Sequence, residues 1–464
     1  MTRLLQYTDL EDVYDDPETF GRLVGCLDAL RGDDPPDDPR SHSQTGRKDD
    51  ALVLGAGDDV APSVSTTVLG ADAPLKALSV LAPDVETFGN HDFDHGADLA
   101  ATAARESPAT YVTANLRVDG RRFGGDDGVR PWVVRPVDGT RVGVVGVTTT
   151  ELGAVSGGPL PFEVVDPVTA VRDAAAAARE AGADVVVCLA HLGEDRRIAR
   201  ETDVDVICGG HVPPSRTDRI DGTLLVRPEL GGRSVVEIDL DEDAVVHHDI
   251  DDFPAADRGV EAMHELRRTA GLDESVGRLT ESIALPDRNG AGETRIGNLV
   301  ADAVRWGGDA DVGVYHDGGL RGDRIAAGEV TAFDLAGAVP FTDSIRVLDV
   351  SGERLRAVLE QLDGRCLGLA DERSWFGNVS GARVVRDAAD GSLIEATVGN
   401  EPIDDADRYS LAMPSYLVTS DHVIDAVGER QAVGGTDRPV YESVIEYARE
   451  TGIDPTVEGR LRER

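Results

Sequence analysis

The chain has 464 residues, of which 41% are apolar, so it is long enough to fold into two domains with sizeable hydrophobic cores. Its formal charge is −41, because 87 acidic residues outnumber 46 basic ones. A surface this acidic repels nucleic-acid polymers and anionic membranes, which makes both poor partners. A small phosphorylated substrate is not excluded, because a bound metal ion reverses the sign of the local electrostatic field.

The cysteines and the hydropathy of the chain indicate its compartment. The four cysteines lie far apart and form no CxxC pair, so neither a disulfide framework nor a zinc ribbon is indicated. Residues 1–10 carry no apolar signal core, and no stretch approaches the length of a transmembrane helix. We therefore expect a cytoplasmic protein. The spread of acidic residues with only two lysines is typical of proteins from salt-loving organisms.

Short apolar runs recur in the first half of the chain, and five of them are each followed closely by a residue that can bind a metal ion. The runs cover residues 3–7, 51–54, 85–88, 185–190 and 204–208, and the residues that follow them are Asp9, Asp58, Asn90, His191 and His211. Runs rich in Val, Ile and Leu without polar alternation are typical of buried strands in α/β proteins. Because ligands collect at the carboxyl ends of such strands, we expect these five side chains at one end of the domain.

A change in the sequence pattern after residue 254 divides the chain into two predicted domains. Residues 1–254 hold all five apolar runs, and the acidic loop at their end gives way to a helical stretch. We interpret residues 255–280 as a connector and residues 281–464 as the second domain. Within the second domain, apolar spacing and capping residues predict helices over 293–306 and 351–362.

Five short motifs surround the candidate metal ligands. They are TDLE (8–11), GAGDD (55–59), GNHDFD (89–94), AHLGE (190–194) and GGHVPPS (209–215). Their order and context resemble the pattern of the calcineurin-like metallophosphoesterase domain of the 5′-nucleotidase family. The resemblance implies an N-terminal α/β sandwich that holds two divalent metal ions and hydrolyses phosphate esters.

The same resemblance implies a role for each residue. The implied metal ligands form two sets that share Asp58. The first ion would be held by Asp9 and Asp58, with Glu11 as an added candidate. The second ion would be held by Asp58, Asn90, His191 and His211. His91 would face the phosphoryl group, where it stabilises developing charge or protonates the leaving oxygen. Asp94 would orient the His91 imidazole and support its charged form.

Two positions depart from the family pattern. The family's D-x-H reads here as Asp9-Leu10-Glu11, and Pro213 stands two residues after His211, where relatives commonly carry His or Gln. The first site therefore loses one ligand and is rich in oxygen, which favours Mn²⁺ or Mg²⁺ over Zn²⁺. We expect two divalent ions with Mn²⁺ preferred, and Zn²⁺, Mg²⁺ and Fe remain alternatives.

Residues 280–464 resemble the 5′-nucleotidase C-terminal domain, an α+β domain. The matching motifs are ETRIGNLVADAV (293–304), DGGLR (317–321), GEVTAFDL (328–335), VPF (339–341) and SGERL (351–355). In that family an arginine and backbone amides hold the substrate, and two aromatic rings clamp the base. The resemblance assigns these contacts to Arg321, Gly318, Gly319, Phe376 and Asp421, while Val423 replaces the second ring.

Three functions remain open from the sequence. The first is hydrolysis of phosphate monoesters, above all of 5′-nucleotides to nucleosides and phosphate. The second applies the same chemistry to 2′,3′-cyclic nucleotides, sugar phosphates or a dinucleotide. The third is a degenerate relative that binds metal or nucleotide without turnover. Retention of His91 and Asp94 favours an enzyme, whereas Glu11 and Pro213 favour the third function.

Overall fold

The computed structural model describes residues 1–32, 51–152, 162–285, 292–363, 377–419 and 424–464. These residues form two compact units, Met1–Thr269 and Ala270–Arg464. The division falls within the segment 255–280, which the sequence analysis assigns to the connector. The helix of that segment, Asp257–Thr269, belongs to the first unit and packs there against the helix Pro17–Arg31.

The first unit alternates strands and helices along the chain. Its described strands are β1 (Arg3–Tyr7), β2 (Ala51–Gly55), β3 (Val85–Glu86), β4 (Thr110–Tyr111), β5 (Leu116–Val118), β6 (Arg121–Arg122), β7 (Trp132–Val137), β8 (Thr140–Thr148), β9 (Glu163–Val164), β10 (Val185–His191), β11 (Val206–Gly209), β12 (Arg216–Ile220), β13 (Thr223–Arg227), β14 (Ser234–Asp239) and β15 (Ala244–Asp249). Its described α-helices are α1 (Pro17–Arg31), α2 (Val64–Leu69), α3 (Asp72–Leu81), α4 (Ala97–Glu106), α5 (Pro167–Glu180), α6 (Asp195–Glu201) and α7 (Asp257–Thr269).

Two six-stranded sheets form the frame of this unit. Their strand orders are β15-β14-β1-β2-β3-β4 and β12-β13-β11-β10-β8-β7. In the first sheet β1 to β4 run parallel, and in the second β8, β10, β11 and β13 run parallel, with antiparallel strands outside them. Because neighbouring parallel strands end side by side, the loops after β1, β2 and β3 all start at the carboxyl ends of the strands of the first sheet.

Along each strand, the side chains pack alternately between the two sheets and against the helices outside them. Leu4 and Leu54 of the first sheet share a buried cluster with Leu189 of the second sheet. Leu5 and Val53 belong instead to a cluster with α1 and α3, because successive side chains of a strand point to opposite faces. Helices α5 and α6 cover the outer face of the second sheet in the same way. The first unit is therefore an α/β sandwich, as the fold class predicts.

The second unit combines helices with mostly antiparallel sheets. Its described strands are β16 (Ser275–Leu279), β17 (Ile283–Ala284), β18 (Val312–His316), β19 (Arg324–Ile325), β20 (Gly328–Thr331), β21 (Ser344–Ser351), β22 (Gly377–Ser380), β23 (Ala382–Arg386), β24 (Leu393–Val398), β25 (Glu401–Pro402), β26 (Arg408–Pro414), β27 (Ala432–Pro439) and β28 (Leu461–Glu463). Its described α-helices are α8 (Arg295–Gly308), α9 (Ala332–Ala338), α10 (Gly352–Gln361), α11 (Ser415–Thr419) and α12 (Val440–Thr451).

The sheets of the second unit pack against these helices. The larger sheets have the orders β22-β18-β26-β21-β27 and β25-β24-β23-β28, and two-stranded sheets pair β16 with β20 and β17 with β19. Leu355 and Leu359 of α10 belong to one buried cluster with Val312, Leu348 and Leu411 of the five-stranded sheet. This is the predicted α+β domain. Within the described ranges, no helix of either unit is both long enough and apolar enough to span a bilayer.

Candidate metal centre

The loops after β1 and β2 carry the first group of candidate ligands. Asp9 and Glu11 follow β1, Asp58 follows β2, and one carboxylate oxygen from each lies within 4.8 Å of the others. Backbone hydrogen bonds join the loops, since the Asp9 N–H donates to the Gly57 carbonyl oxygen at 2.9 Å and the Glu11 N–H to that of Asp58 at 3.0 Å. Three carboxylates this close repel one another unless a cation lies between them, so the group suits a divalent ion.

Asp58 belongs to a second group as well, with His191 and His211. One ligand atom from each of these three residues lies within 4.8 Å of the others. His191 ends β10 and His211 follows β11, so both imidazoles come from the second sheet. The structure thus brings ligands from both sheets to one site, and Asp58 is common to the two groups.

The contacts of His191 indicate that a proton or a metal ion lies between its ring and Asp58. Its Nδ1 lies 2.7 Å from the carbonyl oxygen of Ala56, and because a carbonyl only accepts, Nδ1 carries the proton. Nε2 then faces Oδ2 of Asp58 at 2.8 Å. Two acceptor atoms approach this closely only when a proton or a metal ion lies between them.

Asn90 adds a second acceptor that needs a partner. It follows β3 and is 1% exposed, and its Oδ1 has no hydrogen-bond partner among the described residues. A buried amide oxygen without a partner is costly, and coordination to a cation removes that cost. Together with the shared Asp58, the donor set fits two divalent ions.

Four of the candidate ligands have a left-handed backbone. The φ angles are 51° at Asp9, 44° at Glu11, 58° at Asp58 and 71° at His211. Positive φ is uncommon outside glycine and costs about 1–3 kcal/mol for each residue, so it persists only where the surrounding structure enforces it. Asp119 and Asp221 adopt the same conformation in turns outside the site, because Asp tolerates positive φ better than most residues.

Burial and neighbouring charges set the protonation of the site. Burial raises the pKa of Asp9, and burial together with the charges of Asp9 and Asp58 raises the pKa of Glu11 to about 7. Burial alone would lower the pKa of His191, but the carboxylates of Asp58 and Asp9 outweigh it and raise this pKa to about 10. Burial and the nearby His191 lower the pKa of His211 to about 4, so its ring is neutral at pH 7 and offers a lone pair.

His91 and Asp94 form a partly exposed pair beside these ligands. His91 Nδ1 lies 2.8 Å from Asp94 Oδ2, and the two side chains are 29% and 24% exposed. The hydrogen bond to Asp94 raises the pKa of His91 to about 9, so the ring is a cation at neutral pH. The backbone N–H of His91 donates to Asp58 Oδ1 at 2.7 Å. The pair can therefore offer a proton or a positive charge next to the candidate metal ligands.

The predicted substrate contacts of the second unit lie around a turn after β18. Gly318 and Gly319 are in a 3-10 turn, and Arg321 follows it. Nη1 of Arg321 donates to the Gly318 carbonyl oxygen at 2.6 Å, and the guanidinium lies 4.7 Å from the ring centre of Phe341. Arg321 thus braces this turn, and its contact with substrate stays a prediction. Three further residues from the sequence analysis lie outside the described residues: Phe376, Asp421 and Val423.

One protein-family model matches part of the second unit. Residues 275–429 match the family model described as 5′-nucleotidase, C-terminal domain. The matched range lies within the second unit, Ala270–Arg464. The resemblance inferred from the motifs of this unit is therefore confirmed, and the matched range includes all five of those motifs.

Named relatives match most of the chain at low identity. Endonuclease YhcR of Bacillus subtilis (strain 168) is 25% identical over 496 aligned positions, which cover 96% of this chain and 38% of that protein. The snake venom 5′-nucleotidase of Crotalus adamanteus is 24% identical over 477 positions, which cover 88% of this chain and 80% of that protein. The chain therefore spans well under half the length of YhcR.

The fold is shared with a solved structure over both units. The crystal structure of the 5′-nucleotidase precursor from Thermus thermophilus superposes with a TM-score of 0.64 and 21% identity. The superposition covers 100% of this chain and 99% of that chain. At this identity the likeness establishes the fold, and it confirms the predicted fold class.

Proposed function

We propose that this protein is a metal-dependent hydrolase of phosphate monoesters whose substrates are 5′-nucleotides, which it converts to nucleosides and phosphate. The observation that carries the proposal is the membership of Asp58 in two ligand groups, one with Asp9 and Glu11 and one with His191 and His211. When bound, two ions at such a site polarise a phosphate ester and activate a water molecule. The match of the second unit to a 5′-nucleotidase C-terminal domain supports nucleotides as the substrate class.

His91 and Asp94 can supply the proton that the leaving oxygen needs. Asp94 accepts the hydrogen bond from His91 Nδ1, which leaves Nε2 with the proton that can be transferred. The ring protonates the leaving oxygen as the bond between that oxygen and phosphorus breaks, and the electron pair of the bond stays on the oxygen. Because the hydrogen bond to Asp94 raises the pKa of His91 to about 9, this proton is in place at neutral pH.

The charge of the molecule supports a small substrate over a polymer. The formal charge of −41 repels a nucleic-acid backbone along its whole length. A mononucleotide carries its charge in one phosphate group, which the local field of two divalent ions can attract. We therefore propose small phosphorylated molecules as the partners of this site.

Hydrolysis assays with the purified full chain test this function. A panel of 5′-nucleotides, 2′,3′-cyclic nucleotides and sugar phosphates is assayed with Mn²⁺, Mg²⁺ or Zn²⁺ at high salt, with and without a chelator. We expect 5′-nucleotides to be hydrolysed best and Mn²⁺ to support faster turnover than Zn²⁺, because the group of Asp9, Glu11 and Asp58 offers only carboxylates. The chelator should abolish the activity.

Each other outcome of the assays has a definite meaning. Rates with Zn²⁺ equal to or above those with Mn²⁺ would contradict the metal preference. Preferred hydrolysis of a cyclic nucleotide or a sugar phosphate would keep the chemistry and replace the substrate class. A protein that binds metal but turns over no ester would be the degenerate relative, and the proposed function would be wrong.

A further inference from the structure

A buried carboxylate lies between two loops of the metal centre. Asp92, in the turn after β3, is 1% exposed. Its Oδ1 accepts the backbone N–H groups of Asp59 and Val60, both at 2.9 Å. Its Oδ2 accepts those of Gly89 at 2.7 Å and Asp58 at 3.2 Å. An ionised carboxylate has about four lone-pair sites, so these four donors use its full capacity.

The four donors belong to two different loops. Three of them lie in the loop after β2, and one of these is the backbone N–H of Asp58 itself, whose side chain is common to both ligand groups. The fourth belongs to Gly89, directly before the candidate ligand Asn90. Hydrogen bonds to a charged acceptor are the strong kind, and burial strengthens them further. Asp92 thus connects the backbones that carry two candidate ligands.

Glycines bring the same two loops into direct contact. A Cβ atom at Gly89 would lie 2.0 Å from Oδ1 of Asp58, and a Cβ atom at Gly57 would lie 2.5 Å from the backbone nitrogen of Gly89. Gly57 also has a φ of 89°, a conformation that favours glycine. There is no room for a side chain between the loops at these points, so the close approach that the Asp92 hydrogen bonds hold requires both glycines.

We propose that Asp92 is a positioning residue that holds the Asp58 loop against the Asn90 turn and thereby sets the distance between metal ligands from two strands. It acts through backbone N–H groups, and its carboxylate is placed in neither ligand group. The inference rests on the proposed two-metal function, because positioning of the ligands matters only where they bind ions.

Asp92→Asn tests this role with little change in size. An asparagine keeps one accepting oxygen but turns an amide NH₂ toward two N–H donors, so half of the connection is lost. We expect the variant to bind Mn²⁺ about 10–100-fold more weakly, the usual cost of removing a partner that orients metal ligands. Asp92→Ala removes both oxygens and should weaken binding further. Isothermal titration calorimetry of the full-length, chelator-treated protein measures the affinity.

Asp15→Asn is the matched control. Asp15 also accepts two backbone N–H groups, those of Val64 at 2.7 Å and Ser65 at 3.0 Å, but it does so at the start of α2 and belongs to neither ligand group. The Asp15→Asn variant should have a lower unfolding temperature than the wild type but an Mn²⁺ affinity close to that of the wild type. An equal loss of affinity in both variants, or none in Asp92→Asn, would overturn the positioning role alone. Absence of Mn²⁺ binding by the wild type would overturn the proposed function and this inference with it.

Discussion

Replacing His91 with alanine is expected to lower kcat by about two to four orders of magnitude, the usual scale for a group that transfers a proton or stabilises charge. The ring is hydrogen-bonded to Asp94, which keeps it charged at neutral pH and able to protonate the leaving oxygen. It belongs to neither ligand group, so the metal content of the variant should stay near that of the wild type. Steady-state kinetics and elemental analysis of one preparation measure both quantities.

His95→Ala is the matched control for this experiment. His95 is a half-buried imidazole four residues further along the same loop and lies outside both ligand groups, so its replacement should leave kcat close to wild type. Asp94→Asn should lower kcat less than His91→Ala does, because the ring remains but loses the carboxylate that orients it. Loss of metal from His91→Ala would place the ring among the ligands and contradict its role as a proton donor.

Asp58→Asn is expected to remove both ions and to reduce hydrolysis to background. Asp58 is the residue that the two ligand groups share, and its replacement takes a negative charge from both. Because loss of a partner outside the ligand set already weakens metal binding about 10–100-fold, loss of a shared ligand should exceed the upper end of that range. Titration calorimetry with Mn²⁺ and elemental analysis of the loaded protein measure the effect.

Asp9→Asn distinguishes a shared ligand from an ordinary one. Asp9 belongs to the group with Glu11 and Asp58 but not to the group with the two histidines, so its replacement should remove one ion and leave the other. Circular dichroism of both variants shows whether the fold is intact. Two ions per chain in Asp58→Asn, or none in Asp9→Asn, would contradict the division into two groups.

Local signals predicted several strands and helices of both units. The runs 3–7 and 51–54 correspond to β1 and β2 within one residue, because every residue after the first in each strand is buried. The helix predicted over 351–362 is Gly352–Gln361, and Ser351 caps it by accepting from the Arg354 N–H. Burial patterns and caps are properties of neighbouring residues, so a single sequence displays them.

The third strand shows where apolar patterning fails. The run 85–88 predicts a strand of four residues, but β3 pairs only over Val85–Glu86. The Thr87 hydroxyl donates instead to the Val112 carbonyl oxygen at 2.9 Å, and the carbonyl oxygen of Phe88 accepts from the Thr148 hydroxyl. Both residues are buried. Thr87 is polar, so apolarity does not account for its burial. Its hydroxyl is paired with a carbonyl oxygen from a distant part of the chain, a contact that no local pattern displays.

The assembly of the site depends on contacts that no local pattern displays. The sequence predicted five ligands at one end of a domain, but not that they come from two facing sheets. The positive φ angles of four ligands were not predicted either, because residue type alone does not say which Asp, Glu or His adopts that conformation. The role of Asp92 depends on N–H groups that lie up to 34 residues away along the chain.

Electron paramagnetic resonance of the Mn²⁺-loaded wild-type protein, together with elemental analysis, tests most directly whether Asp58 bridges two ions. A carboxylate shared by two Mn²⁺ ions transmits magnetic exchange between them, so we expect two ions per chain and the spectrum of a coupled pair. The ligand groups that share Asp58 are the structural basis of this expectation. One ion per chain, or two ions with the spectrum of isolated Mn²⁺, would contradict a bridged centre.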